Sequence, residues 1–190
     1  MDLLKKRILK DGRVLGDDIL MVDSFLNHQI DVDLLSEIGK EFHRLFENDH
    51  ITKILTVESS GIAVACMAAA EFHVPVVFAK KHKTVNISPD VLSASIASFT
   101  HKTTYDVRVS RSYICPGDRI LIIDDFLANG QALLGLTKIV KDGGAEVVGA
   151  GIVIEKGYQP GGKLLRDTGL RVESLAIVKS MNAEFGVEFE

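Results

Sequence analysis

The chain alternates between two hydrophobic patterns along most of its length. Segments with an apolar face at helical spacing predict helices at residues 1–10, 32–48, 62–72, 131–141 and 161–168. Short runs that are apolar throughout predict buried strands at residues 51–57, 75–79, 119–125, 145–155 and 171–179. Strands that alternate with helices in this way predict an α/β fold, with a mostly parallel central sheet flanked by helices.

Two segments depart from this alternation. Residues 14–30 mix apolar side chains with Asp, Asn and His, so we expect this stretch to fold over another part of the protein. Residues 80–112 begin with a basic cluster, and the alternating stretches at 92–99 and 104–109 then predict an antiparallel ribbon. We see no repeat, linker or low-complexity tract, which predicts a single domain over residues 1–190.

Composition narrows the class of protein. A chain of 190 residues that is 46% apolar, with a mean hydropathy of +0.18, suits one ordinary globular core. Its apolar runs are far shorter than the ~20 residues of a membrane span, and its N-terminus lacks the pattern of a secretory signal. Cys66 and Cys115 have no metal-ligand spacing, which predicts reduced thiols and a cytoplasmic location. A net charge of −4 without a long block of one sign argues against a nucleic-acid partner, and no membrane partner is expected.

Residues 120–132 carry the strongest chemical signal. Four aliphatic residues precede the adjacent carboxylates Asp124 and Asp125 (the acidic pair), and a loop around Gly130 then leads into a helix. Such a loop aims backbone N–H groups and a partial positive charge at the crevice where α/β sheets bind ligands. Carboxylates beside an anion-binding loop suggest a ribose phosphate. The alternative is a strand that ends in two aspartates only for solubility and capping.

This stretch resembles the signature of the phosphoribosyltransferases that use phosphoribosyl pyrophosphate. The resemblance implies that the acidic pair faces the ribose hydroxyls and that residues 128–132, here called the phosphate loop, hold the 5′-phosphate. The phosphate loop consists of Ala128, Asn129, Gly130, Gln131 and Ala132. It lacks the threonines that the family usually carries, so backbone and amide donors take their place. Ala128 stands where hypoxanthine–guanine enzymes carry an aspartate, so no general base is evident there.

The resemblance continues at residues 22–30, 58–62, 80–83 and 152–156. It implies the type I phosphoribosyltransferase fold, with a hood formed mainly by residues 1–31 plus C-terminal residues and a mobile loop at about 80–112. Ser59 and Ser60 would bind pyrophosphate, and Lys81 would act catalytically on this leaving group. The purine would meet Leu20, Asn27 and Lys156, and a lysine suits a base with oxo groups. All of these except Asn27 have a plainer alternative: a serine that only caps a helix, a lysine in solvent, or a leucine in the core.

The implied reaction moves the 5-phosphoribosyl group from phosphoribosyl pyrophosphate to N9 of a purine, with xanthine as the expected acceptor and pyrophosphate as the second product. The six histidines show no ligand spacing, so no protein-held metal site is predicted, and Mg²⁺ would arrive on the phosphates of the donor. Family likeness also implies a homodimer. The alternatives are transfer to adenine or to guanine and hypoxanthine, and a non-catalytic regulator that senses the same ligand. A nucleotide hydrolase is disfavoured because no Gly-Lys-Ser/Thr loop is present.

Overall fold

The computed structural model describes residues 1–16, 18–81, 90–98 and 103–190. The helices are α1 (Asp2–Asp11), α2 (Val32–Phe46), α3 (Gly61–Phe72), α4 (Gln131–Asp142) and α5 (Gly161–Asp167). The strands are β1 (Arg13–Leu15), β2 (Ile19–Met21), β3 (Lys53–Val57), β4 (Val76–Ala79), β5 (Val91–Ser98), β6 (Thr103–Ser110), β7 (Arg119–Leu127), β8 (Glu146–Lys156), β9 (Val172–Asn182) and β10 (Gly186–Phe189). All five predicted helices and all five predicted buried strands are present, with ends shifted by a few residues.

The central sheet confirms the predicted fold class. Its six strands lie in the order β10-β9-β8-β7-β3-β4, and only β10 runs antiparallel to its neighbour. The sequence pattern did not predict β10, since residues 171–179 were expected to form the last strand. Its pairing depends on a tight turn, in which the Asn182 side-chain oxygen accepts hydrogen bonds from the backbone N–H groups of Glu184 and Phe185.

Both faces of the sheet are covered, which explains why its strands are apolar throughout. Along β7, Leu121 and Ile123 belong to the core cluster formed with α1, α2 and α3. The alternate residues Ile120 and Ile122 belong to a second cluster formed with α4, α5 and the ribbon of β5 and β6. Side chains alternate between the two faces of a strand, so a strand buried on both sides needs an unbroken apolar run.

Helix α2 lies against the middle of the sheet. Asp31 caps the start of the helix, because its carboxylate accepts a hydrogen bond from Leu34 N at 3.1 Å. The ring of Phe42 packs on β8 at Gly151, where a Cβ atom would stand only 2.8 Å from that ring and 2.7 Å from Ile123 Cδ1. The glycine therefore allows close contact between the helix and the sheet.

The N-terminal segment, which is the described part of residues 14–30, is more ordered than its mixed sequence pattern indicated. Strands β1 and β2 form an antiparallel pair, and a single π-helical turn follows at Asp23–Asn27. The segment packs toward β9 and β10. The N-terminal ammonium donates a hydrogen bond of 2.5 Å to Leu175 O, and Lys5 Nζ donates one of the same length to Glu190 O.

The predicted antiparallel ribbon is also present. Strands β5 and β6 pair from Val91↔Ser110 to Ser98↔Thr103 and lie against α4. Two backbone hydrogen bonds of 2.9 Å between Lys80 and Arg108 connect the ribbon to the end of β4. Residues 82–89 and 99–102 of the expected mobile loop lie outside the described residues. Within the described ranges, no helix is long and apolar enough to cross a membrane.

The packing of α2 predicts the effect of truncating its central side chain. Phe42 is fully buried, so Phe42→Ala should lower the free energy of unfolding by about 3–5 kcal/mol through lost burial and a residual cavity. Urea titration at neutral pH measures this change. Lys40→Ala, on the exposed side of the same helix, should shift it by less than about 1 kcal/mol. A similar loss in both variants would contradict this description of the core.

Candidate functional site

The acidic pair lies at the carboxyl end of β7, beside the carboxyl end of β3. The helices that follow these two strands cover opposite faces of the sheet, since α3 packs with α2 and α4 packs with the ribbon. Neighbouring parallel strands whose connections diverge in this way leave a crevice at their carboxyl ends. The topology therefore places both predicted anion-binding segments, residues 58–61 and the phosphate loop, at one crevice.

Asp125 faces the side of the crevice formed by α3 and the N-terminal segment. One of its carboxylate oxygens accepts a hydrogen bond from Ser60 Oγ at 3.0 Å, and the other accepts one from Asn27 Nδ2 at 3.3 Å. The carboxylate is 7% exposed, so these donors replace most of its water contacts. Three residues that the sequence analysis selected separately are thus in direct contact.

The environment of Asp124 is less favourable for a charged carboxylate than that of Asp125. Asp124 is 5% exposed, and burial raises its pKa well above the ordinary value of 3.8, with the neighbouring charge of Asp125 as the next cause. The N–H of Asp125 donates a 3.0 Å hydrogen bond to Asp124 Oδ1 and partly offsets this effect, as does the positive charge of Lys81. A buried carboxylate without a full set of donors is a strong candidate for ligand binding.

Lys81 approaches the site from the end of β4. Its backbone N–H donates a 2.6 Å hydrogen bond to Glu58 Oε1, which links it to the turn that contains Ser59 and Ser60. Its ammonium stands 5.5 Å from the centre of the Tyr105 ring on β6. Burial and the charge of Asp124 raise the pKa of the Tyr105 hydroxyl, so it is a neutral hydrogen-bonding group at physiological pH. The peptide bond between Glu58 and Ser59 is cis.

The phosphate loop packs directly against the start of α5. Gly130 has φ of +77°, a conformation that glycine adopts without strain, and it begins α4. Gly161 N donates a 3.0 Å hydrogen bond to Ala128 O, and a Cβ on Gly161 would stand 2.5 Å from Gly130 N. This close backbone contact fixes the curvature of the loop ahead of the N–H groups that open α4.

An ion pair between the buried Glu155 and the more exposed Arg166 holds α5 in this place. Glu155, 4% exposed at the end of β8, accepts hydrogen bonds of 2.7 and 2.8 Å from the two terminal nitrogens of Arg166 on α5. It also accepts one from Ser174 Oγ. Burial alone would raise the pKa of Glu155, but these donors outweigh it and the pKa is lowered. The paired ion therefore stays charged and keeps α5 against the phosphate loop.

The three residues expected to contact the purine lie in different environments. Lys156 ends β8 and donates hydrogen bonds to Asp18 in the turn between β1 and β2, through the backbone carbonyl and, at 3.4 Å, through Oδ1. Asn27 is exposed, apart from its contact with Asp125. Leu20 is 7% exposed and belongs to the core cluster with α1, α2 and α3, as its plainer alternative anticipated.

The structure thus joins the acidic pair, Ser60, Asn27 and Lys81 through direct contacts or close charges. Ser59 is exposed on the same turn, and its carbonyl accepts a 3.2 Å hydrogen bond from Ile62 N. Sequence analysis missed several supporting residues: Asp18, Glu58, Tyr105, Tyr158 and Gly161. Only Glu58 had a local signal, because it follows a strand and precedes the small residues of an anion-binding turn. No group of three or more metal-binding side chains occurs in the described ranges.

Comparison with known proteins identifies close relatives. Xanthine phosphoribosyltransferase from Lachnoclostridium phytofermentans is 61% identical over 186 residues, which are 98% of this chain and 96% of that protein. The protein of the same name from Clostridium novyi is 61% identical over 181 residues, 95% of each chain. A third, from Oceanobacillus iheyensis, is 54% identical over 182 residues, 96% of this chain and 94% of that protein.

Solved structures with much lower sequence identity share the fold. Adenine phosphoribosyltransferase from Rhodothermus marinus superposes with a TM-score of 0.78 at 23% identity, covering 94% of this chain and 100% of that one. The enzyme of the same name from Thermoanaerobacter pseudethanolicus gives a TM-score of 0.75 at 20% identity, covering 92% and 98%. The sequence profile of the phosphoribosyl transferase domain matches residues 21–189. With that match over nearly its whole length, and with relatives at this level of identity, the chain belongs to the phosphoribosyltransferase family.

Proposed function

We propose that the protein transfers the 5-phosphoribosyl group from phosphoribosyl pyrophosphate to N9 of xanthine, which yields xanthosine 5′-monophosphate and pyrophosphate in purine salvage. The observation that carries this proposal is the acidic pair, buried beside the phosphate loop at the switch point of the sheet. The name that relatives at 53–61% identity share supports xanthine as the acceptor.

The donor fits the crevice by its chemistry. The ribose hydroxyls of phosphoribosyl pyrophosphate would donate to the acidic pair, and the 5′-phosphate would accept hydrogen bonds from N–H groups of residues 128–132. Mg²⁺ binds such a substrate through its phosphate oxygens and enters as part of the donor. Pyrophosphate would lie toward Ser59 and Ser60, where Lys81 is close enough to influence the ionisation of Asp124.

The acceptor would lie between the phosphate loop and the N-terminal segment. Lys156 Nζ would donate to an exocyclic oxygen of xanthine, while Leu20 and Asn27 would cover the base. A lysine in this role favours an oxopurine over adenine, because an ammonium group has three donors and no acceptor for an amino group.

Catalysis would come mainly from position and charge. Holding N9 of the base against C1′ of the ribose removes much of the entropic barrier. As the bond to pyrophosphate breaks, Lys81 would stabilise the negative charge that develops on the leaving group. The side chain of Ala128 supplies no proton acceptor, and the relative acidity of xanthine would reduce the need for one.

The proposal extends to the assembly and location of the protein. We infer a homodimer in the cytoplasm, a state supported by the family likeness. An exposed apolar surface is available for such contacts, since Phe78 lies 40% exposed on the outer strand β4 and Tyr113 lies 58% exposed beside it.

A panel of purines tests the reaction. With phosphoribosyl pyrophosphate and Mg²⁺ present, pyrophosphate release should be at least about tenfold faster with xanthine than with hypoxanthine or guanine, and absent with adenine, because buried polar contacts discriminate strongly. Reactions without Mg²⁺ or without a base are the controls. Faster turnover of another purine would replace the proposed acceptor. Binding of the donor without product from any base would favour a ligand-sensing regulator.

The role of Lys156 has its own test. Lys156→Ala removes a charged donor and should lower kcat/KM for xanthine about 10- to 100-fold, the effect of about 1.5–3 kcal/mol, with little change in KM for phosphoribosyl pyrophosphate. Steady-state kinetics with each substrate varied in turn measures both. Lys163→Ala, an exposed lysine on α5 that pairs with Asp167, should leave both constants unchanged. Unchanged xanthine kinetics in Lys156→Ala would exclude this lysine from the base site.

The buried charge of Asp124 predicts opposite effects on stability and activity. Because the pKa of Asp124 is raised on folding, the folded state binds more protons above pH 3.8, so this group lowers the free energy of unfolding as pH rises. Asp124→Asn carries no such charge and should be more stable than the wild type at pH 8, with the difference shrinking toward pH 4. The same variant should bind the donor poorly.

Denaturant unfolding at several pH values measures this stability difference. Asp33→Asn, an exposed aspartate at the start of α2, is the matched control and should show no comparable gain at pH 8. An Asp124→Asn protein less stable than the wild type at pH 8 would contradict the unfavourable burial of this carboxylate.

A further inference from the structure

The turn between β1 and β2 is joined to the turn that follows β8 by one aspartate. Asp18 Oδ1 accepts hydrogen bonds from Tyr158 Oη at 2.7 Å and from Gln159 Nε2 at 2.8 Å. The same oxygen is 3.4 Å from Lys156 Nζ, and the backbone carbonyl of Asp18 accepts a further hydrogen bond from this ammonium. Three side chains within four residues of the chain therefore converge on Asp18.

This arrangement determines where the ammonium of Lys156 lies. A lysine at the end of a strand normally samples many rotamers, and ordering it on ligand binding costs entropy. The Lys156 side chain is only 15% exposed, and Asp18 supplies its acidic partner. An ammonium has three N–H donors, so two contacts with Asp18 leave one donor for another acceptor.

Asp18 is in turn held by groups other than Lys156. The hydrogen bond from Tyr158 is the largest cause that lowers the pKa of Asp18, so its carboxylate is charged at neutral pH. Burial, followed by the contact with Asp18, raises the pKa of Tyr158, so its hydroxyl remains a donor. Because Tyr158 and Gln159 fix the side chain, the backbone carbonyl of Asp18 is also kept beside Lys156.

We propose that Asp18 is a positioning residue for purine recognition: it holds Lys156 Nζ in place so that its remaining donor meets the oxo group of the base, and Tyr158 holds Asp18. The inference rests on the proposed function, since it takes Lys156 as the residue that contacts the purine. The opposite role for Asp18 predicts the opposite change in xanthine binding. If Asp18 instead occupied Lys156 at the expense of the base, its removal would tighten xanthine binding, so the sign of the change separates the two roles.

The principal variant is Asp18→Ala, which releases Tyr158, Gln159 and the carboxylate contact with Lys156 together. KM for xanthine should rise about tenfold, while kcat and KM for phosphoribosyl pyrophosphate change by less than about twofold. Asp18→Asn retains an oxygen acceptor and should recover part of the loss. Asp33→Asn is the control for removing a negative charge elsewhere on the N-terminal half.

A double-mutant cycle shows whether Asp18 acts through Lys156. In a Lys156→Ala background, Asp18→Ala should cause no further rise in KM for xanthine, because the group that it positions is already absent. Tyr158→Phe removes one donor to Asp18 and leaves Lys156 intact. It should raise KM for xanthine about threefold, and this variant tests the inference even where Asp18→Ala fails to fold.

Several results would overturn the inference. One is a KM for xanthine that is unchanged or lowered in both Asp18→Ala and Tyr158→Phe. A second is a KM for phosphoribosyl pyrophosphate that rises as much as the KM for xanthine. A third is that the effects of Asp18→Ala and Lys156→Ala on KM for xanthine are fully additive. Failure of the proposed function is separate, because it would appear as a wild-type protein that does not turn over xanthine. A wild type that turns over xanthine, with variants that match it, would reject the role of Asp18 alone.

Discussion

The structure depends on placing two adjacent carboxylates at the end of a strand that is buried on both faces. Along β7 the aliphatic residues alternate between two cores, and the same alternation directs Asp124 and Asp125 to different sides of the crevice. Asp125 finds donors on α3 and the N-terminal segment, whereas Asp124 depends on a backbone N–H and on the nearby charge of Lys81. This unequal division leaves one carboxylate satisfied and the other available for a ligand.

The position of the acidic pair also explains how α3 and α5 pack around it. Helix α3 begins close to the pair, where a Cβ on Gly61 would stand 2.2 Å from Thr56 Oγ1 and 3.1 Å from Asp124 Oδ1, so a residue with a side chain would displace its neighbours. On the other side, the Glu155–Arg166 ion pair keeps α5 under the phosphate loop. Truncating Arg166 would leave the buried carboxylate of Glu155 without its charged partner, so the support of the loop depends on this contact. Rigid support on both sides suits a site whose chemistry relies on position.

Sequence alone predicted the parts of the molecule that follow local rules. The strand β7, its terminal carboxylates and the glycine that begins α4 are local features, and a local pattern predicted each of them. The short strands β1, β2 and β10 were missed, because runs of three or four residues are too short to show a strand pattern, although each pairs with a strand close to it in the chain. Asp18 and Tyr105 were missed for a different reason, since their partners lie far away in sequence and are brought near by the fold. Leu20 was ambiguous in sequence; the structure shows that it is largely buried in the core, and its contact with the base stays a prediction.

The N-terminal segment therefore does more than cover the crevice. It contacts the acidic pair through Asn27 and the end of β8 through Asp18, and these contacts lie at the two positions where the ribose and the base would bind. A segment of fewer than twenty residues thus bridges the donor and acceptor sides of the crevice. The core residues Val22, Phe25 and Leu26 lie between these two contacts and fasten the chain to the sheet, so the fold holds both contacts in place on either side of the crevice.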